Sequence, residues 1–333
     1  MRWCCGPEAM GADAFVPGYR RLMATGELAA RVGALHALER SCTLCPRECG
    51  VDRATALGRC VTGDRPVVAS WGPHLGEEPP ISGSRGSGTV FLANCNLRCV
   101  FCQNADISQR PKDHLRRSTT PKALAAAMLE LQEDGCHNVN WVSPTHQVPQ
   151  LVEALAIAAA RGLALPIVYN TNAYDSPAVL RLLDGIVDVY MPDLKYADEP
   201  VARTLSRVPD YPRVARAAIA EMHRQVGSAW LTDDEGVLFR GMLVRILVLP
   251  RDHAGVAASL RWLAEELSPA TAVSLLAQYR PCHLTARPGR YPEVARTITP
   301  SEYVAALDAL REWNRSDETL VQPYRLGPTG IDG

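Results

Sequence analysis

Seven of the eleven cysteines fall in two tight groups, and these are the first residues able to do chemistry. In Cys95-Asn-Leu-Arg-Cys99-Val-Phe-Cys102, three thiols lie within eight residues. As thiolates they can cap three irons of a cubane [4Fe-4S] cluster and leave the fourth iron without a protein ligand, as a reaction site. A structural zinc ion would instead need a fourth ligand, which only a distant Cys136, Cys282 or histidine could supply. The second group, Cys42, Cys45, Cys49 and Cys60, has four thiols and can close on itself, round zinc or as the full ligand set of a second iron-sulfur cluster. Pro46 and Gly50 permit the tight turns this requires. His74, with Glu77 and Glu78, lies between the groups in sequence and within reach of either metal.

Such loops need elements that carry them to one place. Residues 17 to 40 read as helix, with Leu28, Val32, Leu35 and Leu38 on one face, and a turn-rich stretch follows. From residue 88 onward, apolar runs alternate with helical patterns. Strands are expected at 89–92, 138–142, 166–169, 186–191, 243–249 and 272–277. Helices are expected at 120–135, 148–161, 177–183, 256–267 and 300–313, with two more helical patterns before residue 230. Residues 230–239 read as a hairpin turning at Asp234-Glu235-Gly236. About six strand-helix units fall short of a closed eight-unit barrel, and parallel strands place their carboxyl ends together. The expected fold is α/β, a partial (β/α)6 barrel of TIM type with a small N-terminal cysteine-rich metal-binding appendage. Its divisions are a helix and cysteine-rich region at 1–80, the barrel at 81–315 and a loose tail at 316–333.

Composition narrows the classes. The 333 residues are 47% hydrophobic, enough for one large core, and the net charge of −1 comes without a basic stripe, so nucleic acid is not an expected partner. No export signal or membrane-length apolar run is apparent, which leads us to expect a cytoplasmic protein without a membrane partner. Cysteines clustered in a long chain of this kind suit metal binding better than disulfides.

The Cys-x3-Cys-x2-Cys spacing, with Phe101 before the third cysteine and a strand before the first, resembles the signature of the radical S-adenosylmethionine superfamily. Further stretches resemble the uncharacterised homologues of the pyruvate formate-lyase activating enzyme. These are Cys42 to Arg53 with Cys60, His74-Leu-Gly-Glu77-Glu78-Pro79-Pro80-Ile-Ser-Gly, Gly88 to Ser108, Ser143-Pro-Thr-His146, Pro192-Asp193-Leu-Lys195 and Val248-Leu-Pro250. The resemblance implies a [4Fe-4S] cluster at Cys95, Cys99 and Cys102 whose open iron is chelated by S-adenosylmethionine. One-electron reduction then splits that cofactor into methionine and a 5′-deoxyadenosyl radical, the electron coming from flavodoxin or ferredoxin. It also implies cofactor contacts from Phe101, from Asn170-Thr171-Asn172 and from Asp193 and Lys195. Lys195 is expected to meet the methionyl carboxylate, and Asn172 the ribose or carboxylate oxygens. Where the activating enzymes carry Gly-Gly-Glu, this chain has Ser143-Pro144-Thr145-His146, which leaves backbone carbonyls or Thr145 to receive the methionyl ammonium.

Three functions follow as expectations: hydrogen abstraction from a glycine of a partner protein, radical modification of a small molecule or peptide, and a non-enzymatic metal-stabilised interaction protein. The unfilled ligand position of the three-cysteine loop speaks against the last. Arg245, inside a strand, has two expected roles, facing the site or pairing outside the barrel. His137, His146 and Tyr279 sit at strand ends as candidate cavity residues. Cys4, Cys5, Cys136 and Cys282 are expected to be terminal or core thiols.

Overall fold

The computed structural model describes residues 15–110 and 117–321. Cys4 and Cys5 lie outside them. Nine strands form one sheet: β1 (Val68–His74), β2 (Ser87–Leu92), β3 (Val139–Val142), β4 (Ile167–Thr171), β5 (Val189–Pro192), β6 (Leu231–Thr232), β7 (Leu238–Leu247), β8 (Ala272–Leu276) and β9 (Leu320–Val321). The order is β1-β2-β3-β4-β5-β7-β8-β9, with β6 a short antiparallel arm on β7. Strands β2, β3, β4, β5, β7 and β8 run parallel with helices between them, which is the expected partial (β/α)6 barrel.

The helices are α1 (Gly18–Ala24), α2 (Glu27–Ala37), α3 (Pro79–Ser82), α4 (Ala105–Ser108), α5 (Pro121–Glu133), α6 (Val148–Ala160), α7 (Pro177–Leu182), α8 (Glu199–Ser206), α9 (Tyr211–Val226), α10 (Val256–Glu266) and α11 (Pro300–Trp313). Their ends follow local chemistry. The Thr120 hydroxyl accepts from Ala123 N ahead of Pro121, and Thr299 forms a reciprocal capping box with Glu302. In α5, Leu124, Met128 and Leu131 recur at helical spacing and are fully buried against the sheet. Among the described residues no helix is long and apolar enough to cross a membrane.

Four expectations are corrected. The single helix over 17–40 is two, because Gly26 takes φ 79° and ends the first. Strand β1 was not expected in a stretch holding Gly72 and Pro73. It pairs antiparallel with β2 at the sheet's edge, where a proline's missing N–H is tolerated, so the sheet continues into the N-terminal region. The far arm of the hairpin and the strand expected at 243–249 are one strand, β7, which passes through Gly241 at φ 149°. A Cβ there would stand 2.6 Å from the Trp230 ring, so only glycine lets the arm lie against Trp230 and still enter the barrel. In the stretch expected to be loose, β9 pairs parallel with β8.

Side chains along the strands alternate with a period of two, and the inward set is layered. Val168, Val189, Met191, Leu243 and Ala272 form an apolar floor with Ile81, which α3 inserts from the amino ends of the strands. The segment between β1 and β2 therefore closes the bottom of the barrel, and Asn138 Nδ2 donates to Ile81 O to hold it there. The main apolar core lies outside the strands, between sheet and helices.

Candidate active site

Above the apolar floor lies a charged layer. Arg245 Nε donates to Asp193 Oδ1 at 2.7 Å and Nη2 to Asn170 Oδ1 at 2.6 Å, while Nη1 stands 3.4 Å from Glu77 Oε2 and 3.7 Å from Glu78 Oε2. Asn170 Nδ2 in turn donates to Glu77 Oε1, and Ser274 Oγ to Glu78 Oε1. Of Arg245's two expected roles, the inward one is found. Lys195 Nζ reaches the other oxygen of Asp193 at 2.7 Å. Burial opposes ionisation of Asp193, but Arg245 and Lys195 outweigh it and hold its carboxyl below the usual range. Glu77 is the opposite case: burial pushes its carboxyl up despite Arg245, with Glu78 adding to the rise.

The third layer is at the carboxyl ends of the strands. A cavity of about 430 Å³ opens there, lined by Cys95, Cys99 and Cys102 of the loop after β2, by Phe101, Ser143, Asn170, Thr171, Asn172, Asp193 and Lys195, and by Gln278 and Tyr279 beyond β8. His74, Glu77, Phe91 and Arg245 line the same cavity from below. Asn172 Nδ2 donates to Asn96 Oδ1 and lies 3.4 Å from Cys95 Sγ. Ser206 Oγ lies 3.0 Å from Cys99 Sγ, and Ser108 Oγ 3.1 Å from Cys102 Sγ. Burial pushes the Cys99 thiol up to about 12 and raises that of Cys95. Neither would ionise there without a strong local cation such as a metal centre, apart from the help Lys195 gives. Lys195 itself is held above its usual range: burial works against its charge, but the Asp193 carboxylate beside it outweighs that cost.

The backbone at this rim is strained. Asn94, Ser143 and Ala173 follow β2, β3 and β4, and each adopts a left-handed φ, of 71°, 58° and 61°. Such conformations are unfavourable for residues other than glycine and concentrate at functional sites. Nothing in the residue types announced them.

Most of the sequence-expected contacts thus meet in one cavity, but several residues stand apart from its lining. Thr145 is buried beneath, its hydroxyl 3.4 Å from that of Thr171. His146 is buried behind the rim with Nε2 3.0 Å from Ala93 O; burial lowers its pKa to about 3, so the ring is neutral. His137 sits at the opposite end of β3, against Arg85. Tyr279 does line the cavity; its hydroxyl donates to Val294 O and its ring packs edge-on to Phe101. Glu77 and Glu78, read in sequence only as loop residues near the metals, are the pair that sequence reasoning missed as partners of Arg245. The motif around them was the only signal.

Cys42, Cys45, Cys49 and Cys60 gather on the rim beside the three-cysteine loop. Arg47 Nε donates to Asn96 O at 2.9 Å, and the Arg98 guanidinium bridges Cys95 O and Arg59 O. Cys136 and Cys282 belong to neither group, and all nine described cysteines are free. Among the described residues no three histidine, cysteine or acidic side chains are closed round a single metal ion. A four-iron cluster, being wider than an ion, takes its thiolates at larger spacing.

Comparison with known proteins adds family context. Residues 89–228 match the family model described as the radical SAM superfamily. An uncharacterized protein of Methanocaldococcus jannaschii is 30% identical over 283 residues, covering 83% of this chain and 75% of the relative. The crystal structure of a radical SAM methyltransferase from Sphaerobacter thermophilus superposes with a TM-score of 0.45 at 16% identity, covering 96% of this chain and 95% of that one.

Proposed function

The chain belongs to the radical SAM superfamily, and from that premise we propose that it abstracts a hydrogen atom from a small polar molecule or peptide that enters the cavity above Arg245. The superfamily's [4Fe-4S] cluster and S-adenosylmethionine supply, on reduction, the 5′-deoxyadenosyl radical that does the abstraction. The residues present suit both groups: three thiols of one loop face one cavity with no fourth protein sulfur among its lining residues, and cationic and amide side chains stand beside them. Cys95, Cys99 and Cys102 would hold the iron. Lys195 would meet the methionyl carboxylate with its ammonium, Asn172 would donate its amide, and Phe101 would pack against the apolar parts while the aromatic wall excludes water.

One observation carries the choice of substrate class. Below the cofactor-facing residues, three carboxylates, Glu77, Glu78 and Asp193, stand against two permanent cations, Arg245 and Lys195, with His74 beside Glu77, so the layer carries more carboxylates than permanent cations. A buried excess of negative charge favours a substrate that presents an ammonium or several N–H donors. A glycine in a partner protein's loop makes no use of such a floor. A reduced flavodoxin or ferredoxin would serve as electron donor.

Anaerobically reconstituted, reduced protein should form 5′-deoxyadenosine, and the low-molecular-weight fraction of a cell extract should stimulate that formation. Stimulation by the macromolecular fraction alone, with a glycyl radical signal in it, would overturn this reading in favour of activation of a partner protein.

A further inference from the structure

We propose that Cys42, Cys45, Cys49 and Cys60 hold a second iron-sulfur cluster, of the [4Fe-4S] class, seated against the loop of the first. The proposal rests on the preceding reading only for the presence of that first cluster.

The segment is built as a ligand cage. Cys42 N donates to Val51 O at 2.8 Å and Gly50 N returns to Cys42 O at 3.1 Å, while Glu48 and Gly50 take positive φ. These turns fold Cys45 and Cys49 back towards Cys42. Gly58 marks where Cys49 and Cys60 converge: a Cβ on it would lie 3.4 Å from Cys60 Sγ and 3.7 Å from Cys49 Sγ. The backbone N–H of Arg59 donates to Cys49 Sγ at 3.2 Å, and the amides of Leu44 and Arg47 lower the Cys42 and Cys45 thiols against the rise that burial imposes. Amide donors of this kind stabilise the negative charge of metal-bound thiolates and help set a cluster's potential. Cys42, Cys45 and Cys60 are buried and Cys49 half-buried, and none is in a disulfide.

Position separates an iron-sulfur cluster from zinc. The Arg98 guanidinium donates to the carbonyl of Cys95 through one nitrogen and to that of Arg59, next in chain to Cys60, through the other. Arg47, between Cys45 and Cys49, donates to the carbonyl of Asn96, next in chain to Cys95, and lies over the Tyr174 ring. Both thiol groups thus lie within two residues of the same hydrogen bonds. Arg47 and Arg98 place positive charge in the wall between them, where two anionic clusters would otherwise repel. A structural zinc ion would gain nothing from standing at the mouth of a site that consumes electrons, whereas a redox centre there lies on the electron's way in.

Iron, acid-labile sulfide and zinc are counted on the full chain after anaerobic reconstitution, and electron paramagnetic resonance spectra are taken after reduction. Wild-type protein should bind about eight irons, and Cys42→Ser/Cys45→Ser and the triple Cys95→Ala/Cys99→Ala/Cys102→Ala variant about four each. In reduced wild-type protein the spectrum should be broadened by magnetic interaction between the clusters, and each variant should give a sharp signal. The wild-type count and broadening need no variant, so local unfolding of the double variant does not decide the matter. One zinc with about four irons in wild-type protein would overturn the proposal, as would an unchanged metal content in the double variant. Eight irons without broadening would overturn the juxtaposition. Failure of the radical reading itself shows differently: the triple variant would still make 5′-deoxyadenosine.

Discussion

Replacing Arg245 by methionine removes the only guanidinium that the structure places among Glu77, Glu78 and Asp193 while keeping most of the side chain's volume. The Glu77, Glu78 and Arg245 side chains are no more than 15% exposed, so water does little to screen the loss. Breaking a buried pair by removing one partner costs about 3–5 kcal/mol, a large share of the roughly 5–15 kcal/mol that holds a typical domain together. The cost should depend on pH in a definite direction. Burial already raises the Glu77 carboxyl, and loss of its nearest cation raises it further. A group whose folded pKa exceeds its unfolded value contributes stability that is complete below the unfolded value and is lost as pH rises through the folded one. The variant should therefore lose least at acidic pH, where Glu77 can take a proton, and the full loss of about 3–5 kcal/mol should appear only as pH rises towards mildly alkaline values. Urea unfolding of both proteins across that window measures this. Adding Glu77→Gln to the variant should flatten its pH dependence and return part of the stability. A loss below about 1 kcal/mol that does not change with pH would refute the reasoning, because it would mean the layer is solvated like a surface ion pair.

Three shorter predictions follow from other parts of the molecule. Lys195→Ala should weaken S-adenosylmethionine binding roughly ten- to hundred-fold, the worth of one charge-assisted bond, with the cluster still assembled; unchanged affinity by equilibrium dialysis would place Lys195 outside the contact. Asp188 is buried beneath α1, accepting from Gly18 N and Ile167 N, and burial raises its carboxyl to about 7. Its raised pKa means the stability it adds is complete below pH 4 and fades as pH climbs to 7, by at most about 4 kcal/mol; Asp188→Asn should flatten that slope in thermal unfolding, and an equally steep variant would assign the slope elsewhere. Gly241→Ala should destabilise by about 1–3 kcal/mol through strain and the clash with Trp230, and wild-type unfolding behaviour would show that β7 and Trp230 shift apart at little cost.

Much of the frame was legible because its signals are local. Thr120-Pro121 announced a helix start through capping chemistry that needs only three or four neighbouring residues. The alternation of buried apolar runs with amphipathic helices announced the parallel sheet, and strand ends missed by a few residues, as at Val189 where 186 was expected, reflect apolar turn residues that read like strand. Strand β1 escaped because Gly72 and Pro73 argue against a strand everywhere except at an edge, and nothing in that segment says it is one.

The residue types and spacing by themselves showed that three thiols of one loop could cap three irons of a cluster without filling a fourth position and that four could close a site, since this depends only on how many ligands a segment supplies. Tertiary structure alone decided what surrounds them. That Glu77 meets Arg245, 168 residues away, follows from sheet order and from the plug between β1 and β2 closing the barrel's lower end. That Ser143 lines the cavity while Thr145 and His146 lie behind it follows from a left-handed turn at one residue. That Arg47 and Arg98 join two cysteine loops distant in the chain follows from both loops sharing one rim. A pairing between such distant positions costs chain entropy that no local pattern repays, so it has no local signature. It exists because burial takes these groups out of water and leaves them to be satisfied by whatever polar partners the fold brings beside them.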